Sequence, residues 1–85
     1  MSDDVRVWLV GRDIDSRDLV TLTYATEDGE RRYERVMALA VLDDGAKAAR
    51  EVEESELEAV PEDEVERFAS QAQRTAAEHD PDEYL

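Results

Sequence analysis

The chain predicts an α+β fold, a small antiparallel sheet of three or four strands with one C-terminal helix packed on one face, and three observations carry that reading. Leu19 to Ala25 alternates Val20, Leu22 and Tyr24 with Thr21 and Thr23, the two-residue period of a half-buried strand. A second run of that period, 31–42, follows directly after Glu27-Asp28-Gly29-Glu30, whose Asp-Gly pair favours a tight hairpin. From Pro61 onward the spacing of apolar residues changes to three and four, the mark of a helix with one buried stripe. At 85 residues the chain supports a single domain spanning 1–85, enough to bury one sheet face and one helix.

In chain order, the first strand is expected at about 4–10. Val5, Val7 and Leu9 alternate there with Arg6, Trp8 and Val10, so both faces carry apolar side chains. That pattern suits a central strand, or one whose second face is covered by something other than its own helix. Gly11 to Asp18 reads as a polar connection. The hairpin strands follow at 19–26 and 31–42. With Asp28 and Gly29 as a two-residue loop at positive φ, Tyr24 faces Tyr33, Leu22 faces Arg35 and Val20 faces Met37. A three-residue loop would set Leu22 against Glu34 and Tyr24 against Arg32, a poorer apolar face, so the even register is preferred. Arg35 then sits among apolar residues, either with its stem along their surface and its head in water, or as an ion-pair or ligand contact.

Asp43-Asp44-Gly45 is a predicted turn. Residues 46–60 favour helix by propensity, yet Val52, Leu57 and Val60 make no helical stripe; 48–52 reads as a fourth strand and 55–57 as a single helical turn. The helix is expected over about 61–79. Pro61 suits its first position, and Glu62, Asp63 and Glu64 place negative charge at the positive end of the helix dipole. Val65, Phe68, Ala69, Ala72 and Ala76 form the stripe. Glu64, Arg67, Gln71, Arg74 and Glu78 lie opposite, with Asp63–Arg67 and Arg74–Glu78 at pairing distance. His79-Asp80-Pro81 ends the helix, leaving 80–85 as a tail.

Composition bounds function. Twenty-four Asp and Glu stand against nine Arg and the single Lys47, a net charge of −14, of which 1–42 contributes −3 and 43–85 contributes −11. Such a surface repels nucleic acid and anionic membranes. Without cysteine there is neither a disulfide framework nor a thiolate metal site. The acidic opening Met1-Ser2-Asp3-Asp4 is unlike a basic secretory leader, and no apolar run approaches the length of a membrane span, so a cytoplasmic protein is expected.

Several stretches together carry a resemblance: Val5-Arg6-Val7-Trp8-Leu9-Val10, the hairpin from Leu22 to Arg31, Leu57-Glu58-Ala59-Val60 leading into Glu66-Arg67-Phe68-Ala69, and Ala76-Ala77-Glu78-His79-Asp80-Pro81-Asp82-Glu83. Over most of its length the chain resembles a set of small acidic haloarchaeal proteins with no established activity. The resemblance implies a high-salt cytoplasm and transfers no catalytic residue. Molar salt shortens the Debye length to ~3 Å, which nearly abolishes the self-repulsion of a surface this acidic.

No catalytic machinery is legible, and the expectation is a non-enzyme without cofactor or metal. The only histidine, His79, stands at a helix end where it meets the last helical carbonyls; the alternative, a metal site of His79, Asp80 and Asp82, is one imidazole with loop carboxylates. Neither phosphate-loop nor dinucleotide glycine patterns occur. The functional expectation rests instead on an open sheet face. If the helix packs on Val5, Val7, Leu9, Val20, Leu22, Tyr24, Tyr33 and Met37, then Arg6, Trp8, Val10, Thr21, Thr23, Arg32, Glu34 and Val36 face outward. Trp and Arg of this kind are enriched at protein interfaces, which points to an interaction or regulatory module whose partner is another protein or a second copy. Two other readings compete: nucleic-acid binding through Arg6, Arg31, Arg32 and Arg35 with Trp8 stacking on a base, and acidic mimicry of nucleic acid through Glu51 to Glu66. The interface reading fails if Trp8 is covered by 43–60 or by the tail bearing Tyr84 and Leu85.

Overall fold

The computed structural model describes residues 3–42 and 45–85. Its elements are β1 (Asp4–Ile14), β2 (Leu19–Ala25), β3 (Arg31–Ala38), a 3-10 turn (Leu39–Leu42), β4 (Ala49–Glu53), a second 3-10 turn (Glu54–Glu56), β5 (Glu58–Ala59) and α1 (Glu62–Glu78). The strands form one antiparallel five-stranded sheet in the order β4-β1-β2-β3-β5. The fold is α+β with a single C-terminal helix, and the sheet has five strands where three or four were expected.

The β2–β3 ladder has the even register, with Val20 opposite Met37, Leu22 opposite Arg35 and Tyr24 opposite Tyr33. Its loop is wider than two residues. Gly29 N–H donates to the Thr26 carbonyl at 2.9 Å, Thr26 N–H to the Arg31 carbonyl at 3.1 Å, and only Gly29 has positive φ, 73°. Two- and four-residue loops leave strand parity unchanged, so the register survives. The Asp28 carboxylate accepts from Thr26 Oγ1 at 2.5 Å and from Glu30 N–H at 2.9 Å. Those bonds favour its charged form and hold its pKa below the ordinary carboxyl value.

β1 does not stop at Val10. Trp8 pairs with Ala25 and Leu9 with Tyr24, but Gly11 pairs with Thr23, so Val10 is the extra residue of a β-bulge and the strand continues to Ile14. The Leu9 carbonyl at the bulge is satisfied by Thr75 Oγ1 of α1, at 2.7 Å. The connection after Ile14 is closed by Asp15, whose Oδ1 accepts from Arg17 N–H and Leu19 N–H at 2.8 and 3.0 Å. β3 ends at Ala38, not Leu42, because β2 begins at Leu19 opposite Ala38 and offers no partner beyond it. Asp43 and Asp44 of the expected turn lie outside the described residues.

The sheet is curled. β4 and β5 occupy opposite edges, about 19 Å apart in a flat sheet at ~4.8 Å per strand, yet only Glu54 to Leu57 join them, and three of those are wound into a 3-10 turn that rises only ~2 Å per residue. Glu54 ties the approaching edges: its N–H donates to the Asp3 carbonyl at 3.1 Å beside β1, and its carboxylate meets Arg31 Nη1 of β3 at 2.7 Å. The concave side holds Val7, Val20, Leu22, Tyr24, Ala46 and Val52, with Leu9, Tyr33, Met37 and Leu57 packed on them. α1 does not lie over this cluster; the bent sheet encloses it, together with the segment that supplies Ala46 and the Lys47 carbonyl bonded to the Tyr24 hydroxyl.

The helix packs on the other side, which corrects the expectation that its stripe would cover Val5, Val7 and the alternate residues of β2 and β3. Ala72, Phe68 and Ala76 meet Trp8, Ala25, Ala48, Ala49, Val10 and Leu85. Small residues on both surfaces bring α1 close to β1 and β2. The hairpin tip is docked beneath it, with Gln73 Nε2 donating to the Glu27 carbonyl at 3.0 Å. A Cβ on the buried Gly29 would lie 2.2 Å from the Val65 carbonyl oxygen and 2.5 Å from the Ala69 nitrogen. The tail returns along 46–49, pairing Ala46 with Leu85 through both backbone bonds and Lys47 with Tyr84 as a bridge.

Candidate interaction surface

The expected outward face divides in two. Trp8 is 7 % exposed, sealed by α1 together with Ala48, Ala49 and Leu85, and Val10 packs beside it. The burial of Trp8 removes both the indole hot spot and the base-stacking platform, while Val10, half-buried, borders the cleft between the sheet and α1. Of the arginines beside them, Arg6 is within 3.1 Å of Glu51, Arg31 within 2.7 Å of Glu54, and Arg32 within 3.3 and 3.5 Å of Glu34 and Glu58. Their charges are spent on neighbouring strands and turns rather than held open for phosphates.

Thr23, Arg32 and Glu34 instead line a cleft of about 400 Å³ between the sheet and the first turns of α1, opposite Glu64, Arg67, Phe68 and Gln71. Arg67 lies over the Phe68 ring at 5.1 Å and pairs with Glu64 at 2.6 Å, taking that carboxylate rather than Asp63. Both cations of this cleft therefore have acidic partners in place. Arg32 Nε is buried there without a hydrogen-bond partner.

The open surface lies further along β3. β5 pairs only with Arg31 and Arg32, so among the described residues no strand pairs with the outer edge from Tyr33 to Ala38. Large apolar side chains are exposed along and just beyond this strand, Val36 at 60 %, Val41 at 73 % and Leu39 at 39 %, and Ile14, 55 % exposed, lies two strands inward on β1. Thr21 and Val36 stand opposite each other on the helix side of the sheet, beyond the reach of α1, while Ile14, Val20 and Met37 form a row on the concave side. Of the eight expected surface residues, Thr21 and Val36 are those that the structure leaves clear of both helix and ion pairs.

Sequence reasoning passed over Lys47 and Arg50, which face the concave side near Arg35. Parity was the available signal for Arg50, since any strand through 48–52 turns it to the same side as Val52. His79 caps α1 through its backbone N–H to the Thr75 carbonyl at 3.0 Å, while its ring engages Glu83 rather than helical carbonyls. Among the described residues no three His, Asp or Glu side chains converge as metal ligands, and no helix is long and apolar enough to cross a membrane.

These features define a small α+β domain, a curled antiparallel sheet wrapped about its own core and backed by one helix. The chain belongs to the family of unknown function DUF7967, whose model matches residues 1–85. No curated protein and no solved structure matches it.

Proposed function

We propose that the protein is a non-catalytic interaction module of a salt-rich, haloarchaeal-type cytoplasm, and that it works by pairing two copies edge to edge along β3. The observation that carries this reading is the unpaired edge from Tyr33 to Ala38 with Val36 exposed beside it, since a free strand edge recruits another strand through its backbone groups. Charge distribution supports a second copy as the occupant: the strand-bearing 1–42 holds only −3 of the total −14, so contact there opposes the least like charge.

Register follows from side-chain chemistry. A two-fold axis through this edge keeps like faces together when it is centred on Glu34, Arg35 or Val36. Centring on Glu34 sets two carboxylates opposite each other, and centring on Arg35 sets two guanidiniums opposite, both destabilising. Centring on Val36 pairs Val36 with itself, Arg35 with Met37 and Glu34 with Ala38, and avoids every like-charge contact.

Sedimentation equilibrium is the test. The mass should rise with protein concentration, more steeply in molar salt than at ~0.1 M, because screening removes the repulsion between two acidic chains. Val36→Lys, at a side chain already open to water, should leave the fold intact and hold the protein monomeric. A monomer at every concentration in molar salt overturns the reading.

A further inference from the structure

We propose that the mouth of the concave face is a binding site for a small dianion, a phosphate monoester being the class that fits. In a chain with 24 acidic residues, Arg35, Lys47 and Arg50 converge on one cavity of about 210 Å³ between β3, β4 and residues 45–47, and among the described residues no acidic side chain lines it. The other two concavities differ in this respect: the helix cleft carries Asp13, Glu34 and Glu64, and the one beside Pro81, which Lys47 and Arg50 also border, carries Glu51 and Asp82. Nor do Arg35, Lys47 and Arg50 form salt bridges with described residues, whereas Arg6, Arg31, Arg32 and Arg67 all do. Three cations gathered with no salt-bridge partner among the described residues repel one another, and an anion between them reverses the sign of that interaction.

The cavity is built as a site. Tyr24, fully buried, forms its base, and its hydroxyl donates to the Lys47 carbonyl at 2.8 Å, which fixes the segment that carries the lysine. Burial raises the Tyr24 pKa, and the positive charges of Arg50 and then Arg35, which line the same cavity, act against that rise. Two guanidinium forks and an ammonium offer donors in several directions, which suits the tetrahedral oxygens of a phosphate. Met37, Val41 and Tyr84 supply an apolar side for a small organic body. The volume lies below the ~300–1,000 Å³ of drug-sized pockets, which limits the ligand to a small one.

The experiment is a titration followed by amide NMR at constant ionic strength, with inorganic phosphate, phenyl phosphate and succinate as probes and chloride as the background. Saturable shifts confined to Gly45–Lys47 and the strands around Arg35 and Arg50, stronger for the phosphates than for succinate, are expected. Arg50→Gln should weaken phosphate binding at least ten-fold with an otherwise unchanged spectrum, and Arg35→Gln should do the same. Val36→Lys should retain binding, which separates this site from the pairing of β3. Shifts that do not saturate, that are equal in the variants, or that favour succinate overturn the proposal. So does phosphate binding that appears only after Asp43 and Asp44 are changed to asparagine, since the chain would then supply its own counterions.

Discussion

The two sides of the sheet are buried by different means. The concave side holds the large side chains of Val7, Val20, Leu22 and Tyr24, all within 1 % of complete burial, and α1 does not cover them. The convex side holds Trp8 among Ala25, Ala48, Ala49 and Ala72, and there the helix lies directly on the strands. Bending brings side chains together on the concave side, so bulky residues fill it without a second layer. On the convex side the same bending spreads the strands, and a helix can seat only where its own residues and those beneath it are small. A large apolar face is therefore no guide to where a helix docks. In this molecule a stripe of alanine on each partner is the better guide, with a single tryptophan filling the space between them.

Trp8→Ala is the change that should break this arrangement most severely. It removes the largest side chain on the helix side and leaves a cavity lined chiefly by Ala25, Ala48, Ala49 and Ala72, too short to fill it, with Val10, Phe68 and Leu85 at its margin, at a cost of roughly 3–5 kcal/mol. Thermal or denaturant unfolding measures that loss. The single indole also reports on itself: native fluorescence should be blue-shifted and should move to the red on unfolding, whereas a water-exposed Trp8 would show no such change. Gly29→Ala attacks the same contact from the hairpin side. The new Cβ would collide with backbone atoms of Val65 and Ala69 at a residue whose φ of 73° already disfavours a side chain, so a loss of about 2 kcal/mol or more is expected, with reduced protection of the first turns of α1 in hydrogen exchange. A neutral Gly29→Ala would mean that the hairpin tip does not dock under the helix.

What could be read from the sequence follows the same division. The β2–β3 register was legible because alternation at Val20, Leu22 and Tyr24 leaves one parity with an apolar face, and the helix was legible because Val65, Phe68, Ala69, Ala72 and Ala76 recur at helical spacing. Curl was not legible, for it is set by the short link from Glu54 to Leu57 between two edge strands, and β5, with two residues, has no period to detect. Without the curl, the alternation pattern points the bulky parity at the helix and Trp8 at the open side. The extent of β1 was hidden by the bulge at Val10, which inserts one residue and reverses the parity of Gly11 to Ile14. The candidate surface was legible only at Thr21 and Val36, because the ion pairs that occupy Arg6, Arg31 and Arg32 join strands whose order the sequence does not state.

The smallest expected effect lies at the hairpin tip and concerns pH. Hydrogen bonds from the Thr26 hydroxyl and the Glu30 N–H, with Arg31 nearby, favour the Asp28 carboxylate and lower its folded pKa below the ordinary value of 3.8. A group whose pKa is lowered on folding contributes stability that is fully present above its unfolded value and is lost as pH falls through the folded one. Asp28 should therefore stabilise the protein at neutral pH and cease to do so in the acid range below 3.8. Because the carboxylate is largely open to solvent, the contribution is small and screened by salt. Asp28→Asn should lower the melting temperature slightly at pH 7 in low salt, and the difference from the native chain should shrink as pH is taken below 3.8. The tip is clamped beneath α1 at Gly29 whatever the state of its carboxylate, so the variant should keep the helix contacts that Gly29→Ala destroys. A difference that stayed constant across the acid range would show that the turn is held by its backbone bonds alone.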